Sequence, residues 1–284
     1  MADKKTKIPI STLNVGDKLG EGGTAEVFSA LNGGGQVVLR RLLPRHKFRG
    51  KMRKRFLNGV EVRRRCGEHP NIVRYFGEGG SFFSAPYEVI EFVPGKNLKT
   101  LIFNKHAAVH DQPLHILLQC AAAIMHVHQT GYLHLDIKPE NFFVTFVDDK
   151  PVPKLSDFDL CLPISRTSAP KDFGGSLMYV PPEFLEKKEI SIASDIFAFG
   201  VMAYNIYTNQ MPFIGSVESL MKGTYEIKFP AGAAERIPDE VQEIIVKCLS
   251  RHPRVRYQSG GDLYSALEKA RRNQSYRAQK QALG

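Results

Sequence analysis

The run His134-Leu135-Asp136-Ile137-Lys138-Pro139-Glu140-Asn141, followed downstream by Leu155-Ser156-Asp157-Phe158, gathers three carboxylates, an ammonium and an amide in one stretch of chain. A carboxylate can orient an attacking hydroxyl, a cation can stand beside a phosphoryl group, and carboxylate and amide oxygens are the hard ligands magnesium takes. Asp136, Lys138, Asn141 and Asp157 supply these groups, so the chemistry on offer is phosphoryl transfer. On this strip alone a bland reading stays open, in which Asp136 and Asn141 close a turn and Lys138 is solvated.

Such groups need two frames to hold them. From Ser11 to about Ile90 the chain shows short β-like runs at Asp17 to Leu19, Ala25 to Ala30, Gln36 to Arg41, Val73 to Phe76 and Tyr87 to Ile90. After Phe92-Val93-Pro94-Gly95 the pattern lengthens, and Leu114, Leu117, Leu118, Ala121, Ile124 and Met125 fall on one helical face. The expected division is an N-terminal extension at 1–10, a small β-rich lobe at 11–93, a mainly helical lobe at 94–270 and a basic, frayed tail at 271–284. Pro94 and Gly95 punctuate the junction, which places a hinge at Glu91 to Gly95.

With 284 residues, 43% of them apolar, the chain can build a sizeable core without staples. Cys66, Cys120, Cys161 and Cys248 are scattered without paired metal-ligand spacing, which favours free thiols in a reducing compartment. The first ten residues lack an apolar core of leader length and no stretch reads as a membrane span, so the expected setting is cytoplasmic, with no membrane partner. The net charge of +10 is concentrated in Arg40 to Arg65, where twelve Lys and Arg meet Glu61 alone. Phe48, Met52, Phe56, Leu57 and Val60 recur there at helical spacing, so the run reads as a helix with an apolar seam and a basic outer face. That face is either solvated or a site for an acidic partner or nucleic acid.

Gly20-Glu21-Gly22-Gly23-Thr24-Ala25 lies between two strand-like runs, where glycines let a hairpin backbone offer N–H groups to phosphates. In chain order this loop, the strand Val37-Val38-Leu39-Arg40, the hinge, the strip at 134–141, Asp157-Phe158-Asp159, the segment Ser176 to Glu183, Asp195 and Arg256 together resemble the eukaryotic-type protein kinase superfamily, Ser/Thr kinase-like, over roughly Ser11 to Ala270. The resemblance implies an α+β, bilobal protein-kinase-like fold that uses ATP and Mg2+ and acts on a protein substrate with a Ser/Thr acceptor. It gives Asp136 the hydroxyl-orienting place, Lys138 the transferred charge, and Asn141 and Asp157 the metal. Ser176 would brace Asp136 and Lys138. Gly20 and Gly22 would cover the phosphates and Arg40 would grip them. Glu91 and Val93 would meet adenine through their backbone, with Val27, Val38 and Phe143 as apolar walls and Ile90 behind. Asp195 would hold the backbone of the strip, and Arg256 would pair with Glu183.

The departures are as informative as the matches. Arg40 stands where the family has lysine, Asp159 where the metal turn ends in glycine, Ala25 in place of a third glycine, and Leu135 in place of an arginine that receives an activating phosphate. The partner glutamate on the helix is missing: Gly59 or Val60 occupies its slot, and Glu61 reaches it only by a shift of register. Two substitutions in one chain suggest that Asp159 replaces that glutamate as the partner of Arg40. Ser165, Thr167 and Ser168 remain candidate phosphoacceptors. The implied function is an atypical Ser/Thr kinase; the alternative is a pseudokinase scaffold acting through partners.

Overall fold

The computed structural model describes residues 6–47, 50–80, 84–171, 173–174, 176–213 and 225–282. The N-terminal region is a five-stranded antiparallel sheet in the order β1-β2-β3-β5-β4, from β1 (Leu13–Glu21), β2 (Ala25–Asn32), β3 (Gly35–Leu42), β4 (Tyr75–Gly79) and β5 (Tyr87–Glu91), with helix α1 (Gly50–Cys66) between β3 and β4. Alternation along β3 divides its side chains between two faces. Val37 and Leu39 pack with Leu13, Ala30, Tyr87 and Val89. Val38 joins Val73 and Ile90, and Leu42 joins Phe56 and Val60 of α1, so Arg40 falls on the face that α1 covers. This register brings the Arg40 guanidinium to 4.9 Å from the Phe56 ring.

Helix α1 departs from the expected amphipathic split. Leu57 is 44% exposed rather than part of the seam, while Arg63, at 1%, and Arg64 are buried. Phe48 lies outside the described residues. Much of the basic run is also neutralised by the chain itself. Arg41 pairs with Glu26, Arg45 with Glu21, Arg63 with Glu88, and Arg64 and Arg65 with Glu61. A linear count of charge cannot register such pairing.

The hinge requires its glycine, because a Cβ on Gly95 would run into the carbonyl of Val144. Beyond it lie β6 (Lys96–Asn97), α2 (Leu98–Phe103), α3 (Ala107–Asp111), α4 (Pro113–Gln129), β7 (Tyr132–Leu133), β8 (Phe142–Val147), β9 (Lys150–Leu155), β10 (Leu162–Pro163), α5 (Pro182–Lys187), α6 (Ile192–Thr208), α7 (Ala231–Ala234), α8 (Asp239–Cys248) and α9 (Gly260–Ala282). Together with the first sheet this makes a mixed α+β, bilobal kinase-like fold. Its larger core forms around α4 and α6, whose Ile124, Ile196, Phe197 and Phe199 are fully buried. Helix α6 starts from a reciprocal cap between Ser191 and Ser194, which satisfies backbone N–H groups the first turn would otherwise strand. The segment expected to fray from Arg271 is instead the continuation of α9. Glu268 pairs with Arg271 and Arg272 along the helix, and Glu240 of α8 holds Arg277, so ion pairs replace the apolar periodicity that the sequence lacks. Among the described residues no helix is long and apolar enough to cross a membrane, and all four cysteines are free and buried.

His69 and His126 stack with ring centroids 4.6 Å apart where the end of α1 meets α4. Burial, then His126 and Lys154, push the His69 imidazole down to about 4, and burial also depresses the fully buried His134. A depressed imidazole favours the fold in its neutral form. Its contribution is therefore complete above the unfolded value near 6.5 and is lost as pH falls through about 4. The unfolding midpoint should drop over that window, and His69→Asn should flatten part of the drop in thermal scans. An unchanged slope would count against this assignment.

Candidate active site

The strip at 134–141 is shaped from behind by Asp195. Its fully buried carboxylate accepts the backbone N–H of His134 at 2.8 Å and of Leu135 at 2.7 Å, and meets His128 Nε2 at 2.9 Å. Burial would raise the Asp195 carboxyl, but the hydrogen bond and charge of His128, with His134, hold it below the usual range. This anchoring matters because Leu135 has φ of 62°, a left-handed conformation that disfavours a bulky side chain. Leu135 itself packs into an apolar cluster with Phe173, Val180 and Phe184. The loop after Asp157 is thus joined to the strip by hydrophobic contact at the place where the family pattern has a cation.

Asp136 is 8% exposed, and its Oδ2 accepts from Lys138 Nζ at 2.8 Å and Asn141 Nδ2 at 2.9 Å. Among the described residues both of these contacts fall on Oδ2, which leaves Oδ1 to accept from a hydroxyl. Lys138 Nζ also donates to Ser176 Oγ at 3.2 Å, which places Ser176 beside Lys138, one of the two residues it was expected to brace. Asn141 spends its amide N–H on Asp136, including the Asp136 carbonyl at 2.7 Å, and among the described residues no donor occupies its Oδ1. Ser156 donates its N–H to the Asn141 carbonyl at 2.8 Å, which brings Asp157 beside Asn141. The Asp157 side chain is 44% exposed. Among the described residues no three His, Cys, Asp or Glu side chains cluster as a metal cage. The pair Asn141 and Asp157 nevertheless fits magnesium, which keeps several waters and takes one or two protein oxygens together with phosphate.

Arg40 is 8% exposed and is shared among carboxylates. Nη1 donates to Glu88 Oε1 at 3.0 Å, Nη2 to Asp159 Oδ2 at 2.5 Å, and Asp157 Oδ1 lies 3.7 Å away. The expected Arg40–Asp159 pair is present. Glu61, the shifted-register candidate, binds Arg64 and Arg65 on its own helix, and Gly59 faces Asp159. Glu88 was not anticipated; its position opposite Arg40 depends on the pairing of β3 with β5. Burial opposes the charge on Arg40, yet Asp159, Glu88 and Asp157 keep it firmly protonated. Arg40 and Arg63, which shares Glu88, are two cations against three carboxylates. Burial and the charge of Asp157 therefore draw Asp159 up to about 6 despite Arg40, while Asp157 stays low because Arg40 and the Asp159 N–H outweigh its desolvation.

The glycine-rich hairpin closes with Gly22 N–H on the Ala25 carbonyl at 2.8 Å, and Gly20 pairs with Val27. Its tip is tied to the segment after β3. The Leu43 N–H meets the Thr24 carbonyl at 3.1 Å, His46 Nε2 donates to the Gly23 carbonyl at 2.9 Å, and Arg45 pairs with Glu21 at 2.8 Å. Val27, Val38, Val93 and Ile90 meet in one apolar cluster, with Phe143 half-buried on β8. The Glu91 carboxylate is pinned by Lys154 and the Arg74 N–H, and its backbone N–H donates to the Arg74 carbonyl at 2.9 Å, so its side chain and N–H are both engaged away from the cleft.

The Glu183 carboxylate takes Arg256 at 2.8 and 2.9 Å, as the resemblance implied. Comparison with known proteins agrees with this geometry. Residues 13–266 match the protein kinase domain family. The chain is 28% identical over 194 residues to a probable serine/threonine-protein kinase PknB of Lactococcus lactis, covering 66% of this chain and 30% of that protein. It is 27% identical over 268 residues to the serine/threonine-protein kinase PknB of Mycobacterium leprae, covering 89% and 42%. Rat calcium/calmodulin-dependent protein kinase type 1B is 30% identical over 264 residues, covering 89% and 74%. The chain thus spans less than half the length of these two bacterial relatives. The family match over residues 13–266, nearly the whole chain, establishes that this chain belongs to the protein kinase domain family.

Proposed function

We propose that the chain transfers the γ-phosphate of ATP to Ser or Thr hydroxyls of protein substrates. The observation that carries this reading is Asp136, held through Oδ2 by Lys138 and Asn141 with Oδ1 left for the acceptor. In this reading Oδ1 orients the hydroxyl, Lys138 stabilises charge on the transferred group, and Asn141 and Asp157 hold Mg2+, which when bound neutralises the phosphate oxygens. Gly20, Gly22 and Arg40 hold the phosphates, and the Glu91 and Val93 backbone with Val27, Val38 and Phe143 holds adenine. Ser176 on Lys138 supports the preference for Ser/Thr, as do relatives named as serine/threonine kinases. Exposed Leu177 and Met178 next to Ser176 offer an apolar shelf for a peptide. The four free, buried thiols fit a cytoplasmic setting.

Incubation with γ-labelled ATP, Mg2+ and a general acceptor protein should yield label on Ser or Thr after acid hydrolysis. Label on Tyr would contradict the acceptor class. Thermal stabilisation by Mg-ATP with no transfer would favour the scaffold alternative.

A further inference from the structure

We propose that Glu88 on β5 and Asp159 after the metal-binding position are the positioning residues that aim Arg40 at nucleotide phosphates, replacing a carboxylate on α1. This rests on the kinase reading above and adds to it the source of the anchor.

The geometry forms a closed device. Arg40 on β3 lies opposite Glu88 in the sheet, and the guanidinium spans Glu88 on one side and Asp159 on the other. Glu88 is fully buried, and its second oxygen takes Arg63 Nε at 3.1 Å. Arg63 in turn lies 4.8 Å over the Phe158 ring, which meets the His134 ring edge-on at 5.2 Å. Sheet, helix, metal turn and catalytic strip are thereby joined through one set of side chains. Gly59 makes room for it: a Cβ there would stand 2.5 Å from Asp159 Oδ1 and 3.1 Å from the Asp159 Cα and N. The helix has therefore given up its side chain at the point where the turn has gained a carboxylate.

Donor number explains why the anchor is arginine. A guanidinium carries five N–H groups in a rigid plane; Glu88 and Asp159 take two and leave three for phosphate. An ammonium has three, and sharing two of them between the same carboxylates would leave one. Holding both ends also fixes the guanidinium plane before nucleotide arrives. Because Asp159 is two residues from Asp157, the same ion pair keeps the metal turn against β3. The anchor then depends on the turn and β5 instead of on a carboxylate carried by α1.

Calorimetric titration of the full chain with a nonhydrolysable ATP analogue and Mg2+, beside steady-state kinetics, separates the possibilities. Glu88→Gln and Asp159→Asn should each weaken nucleotide binding and raise KM for ATP by about ten- to a hundredfold, the range of a lost charge-assisted hydrogen bond, with KM for the acceptor unchanged. Arg40→Lys should also weaken binding. The double variant Gly59→Glu with Asp159→Gly should bind better than Asp159→Gly alone, because it returns a carboxylate to the helix. Thermal scans identify any variant that does not fold, and Arg40→Lys then decides alone. Arg40→Lys that binds or turns over better than wild type would overturn the proposal, as would folded Glu88→Gln and Asp159→Asn with unchanged affinity. Wild type that binds nucleotide without transfer would sink the kinase reading and leave these binding comparisons valid.

Discussion

Asp136→Asn should lower kcat about a hundred- to ten-thousandfold, the usual contribution of a positioned proton acceptor, while nucleotide affinity stays at the wild-type level. Oδ2 already faces two donors, Lys138 Nζ and Asn141 Nδ2. An amide placed there would turn its carbonyl oxygen toward those donors. Its NH2 group would then sit where Oδ1 receives the hydroxyl, and an NH2 group cannot accept that proton. Asp136 makes no contact with Arg40, so the anchor is undisturbed. Initial rates measured beside calorimetric binding test both halves of the expectation; equal turnover in the two proteins would remove Asp136 from its role.

Glu183→Ala should lower stability by about 3–5 kcal/mol, the cost of leaving a buried charge without its partner. Arg256 is 2% exposed and donates to both Glu183 oxygens, to the carbonyls of Ala193, Ser250 and Arg251, and lies 4.8 Å over the Phe197 ring. The carbonyls satisfy three of its five N–H groups but carry no full negative charge, so the substitution strands the other two together with the cation. For a protein of this size the midpoint should fall by roughly 2–4 °C per kcal/mol. Replacing both residues with apolar ones, Glu183→Leu with Arg256→Met, should recover most of the loss, because the penalty belongs to the unpaired cation. Glu186→Ala, which breaks the half-exposed pair with Arg251, should scarcely move the midpoint. Thermal unfolding of the three variants gives the order; a Glu183→Ala protein as stable as Glu186→Ala would contradict it.

The residues that touch one another within a short stretch of chain were legible in the sequence. Asp136, Lys138 and Asn141 share a loop, and Asp157 follows one hairpin later, so spacing alone brings them together. The Arg40–Asp159 pair was legible for another reason: two departures from one pattern compensate each other in charge. Glu88 was not, because a lone glutamate in an apolar strand shows its partner only once β3 and β5 are in register. Arg63 was hidden inside a basic run that looked solvated, and its burial follows from Glu88 and Phe158 standing across from it. The end of α9 escaped notice because pattern reading follows apolar periodicity, whereas Glu268 and Glu240 hold that helix through charge.

The most direct measurement is a crystal structure of the chain with Mg2+ and a nonhydrolysable ATP analogue. The account predicts Arg40 on the nucleotide phosphates while it still touches Glu88 and Asp159, with Mg2+ on Asn141 and Asp157 and the terminal phosphate facing Asp136. A cleft filled by its own side chains with nucleotide absent, or Arg40 turned away from a bound triphosphate, would contradict it.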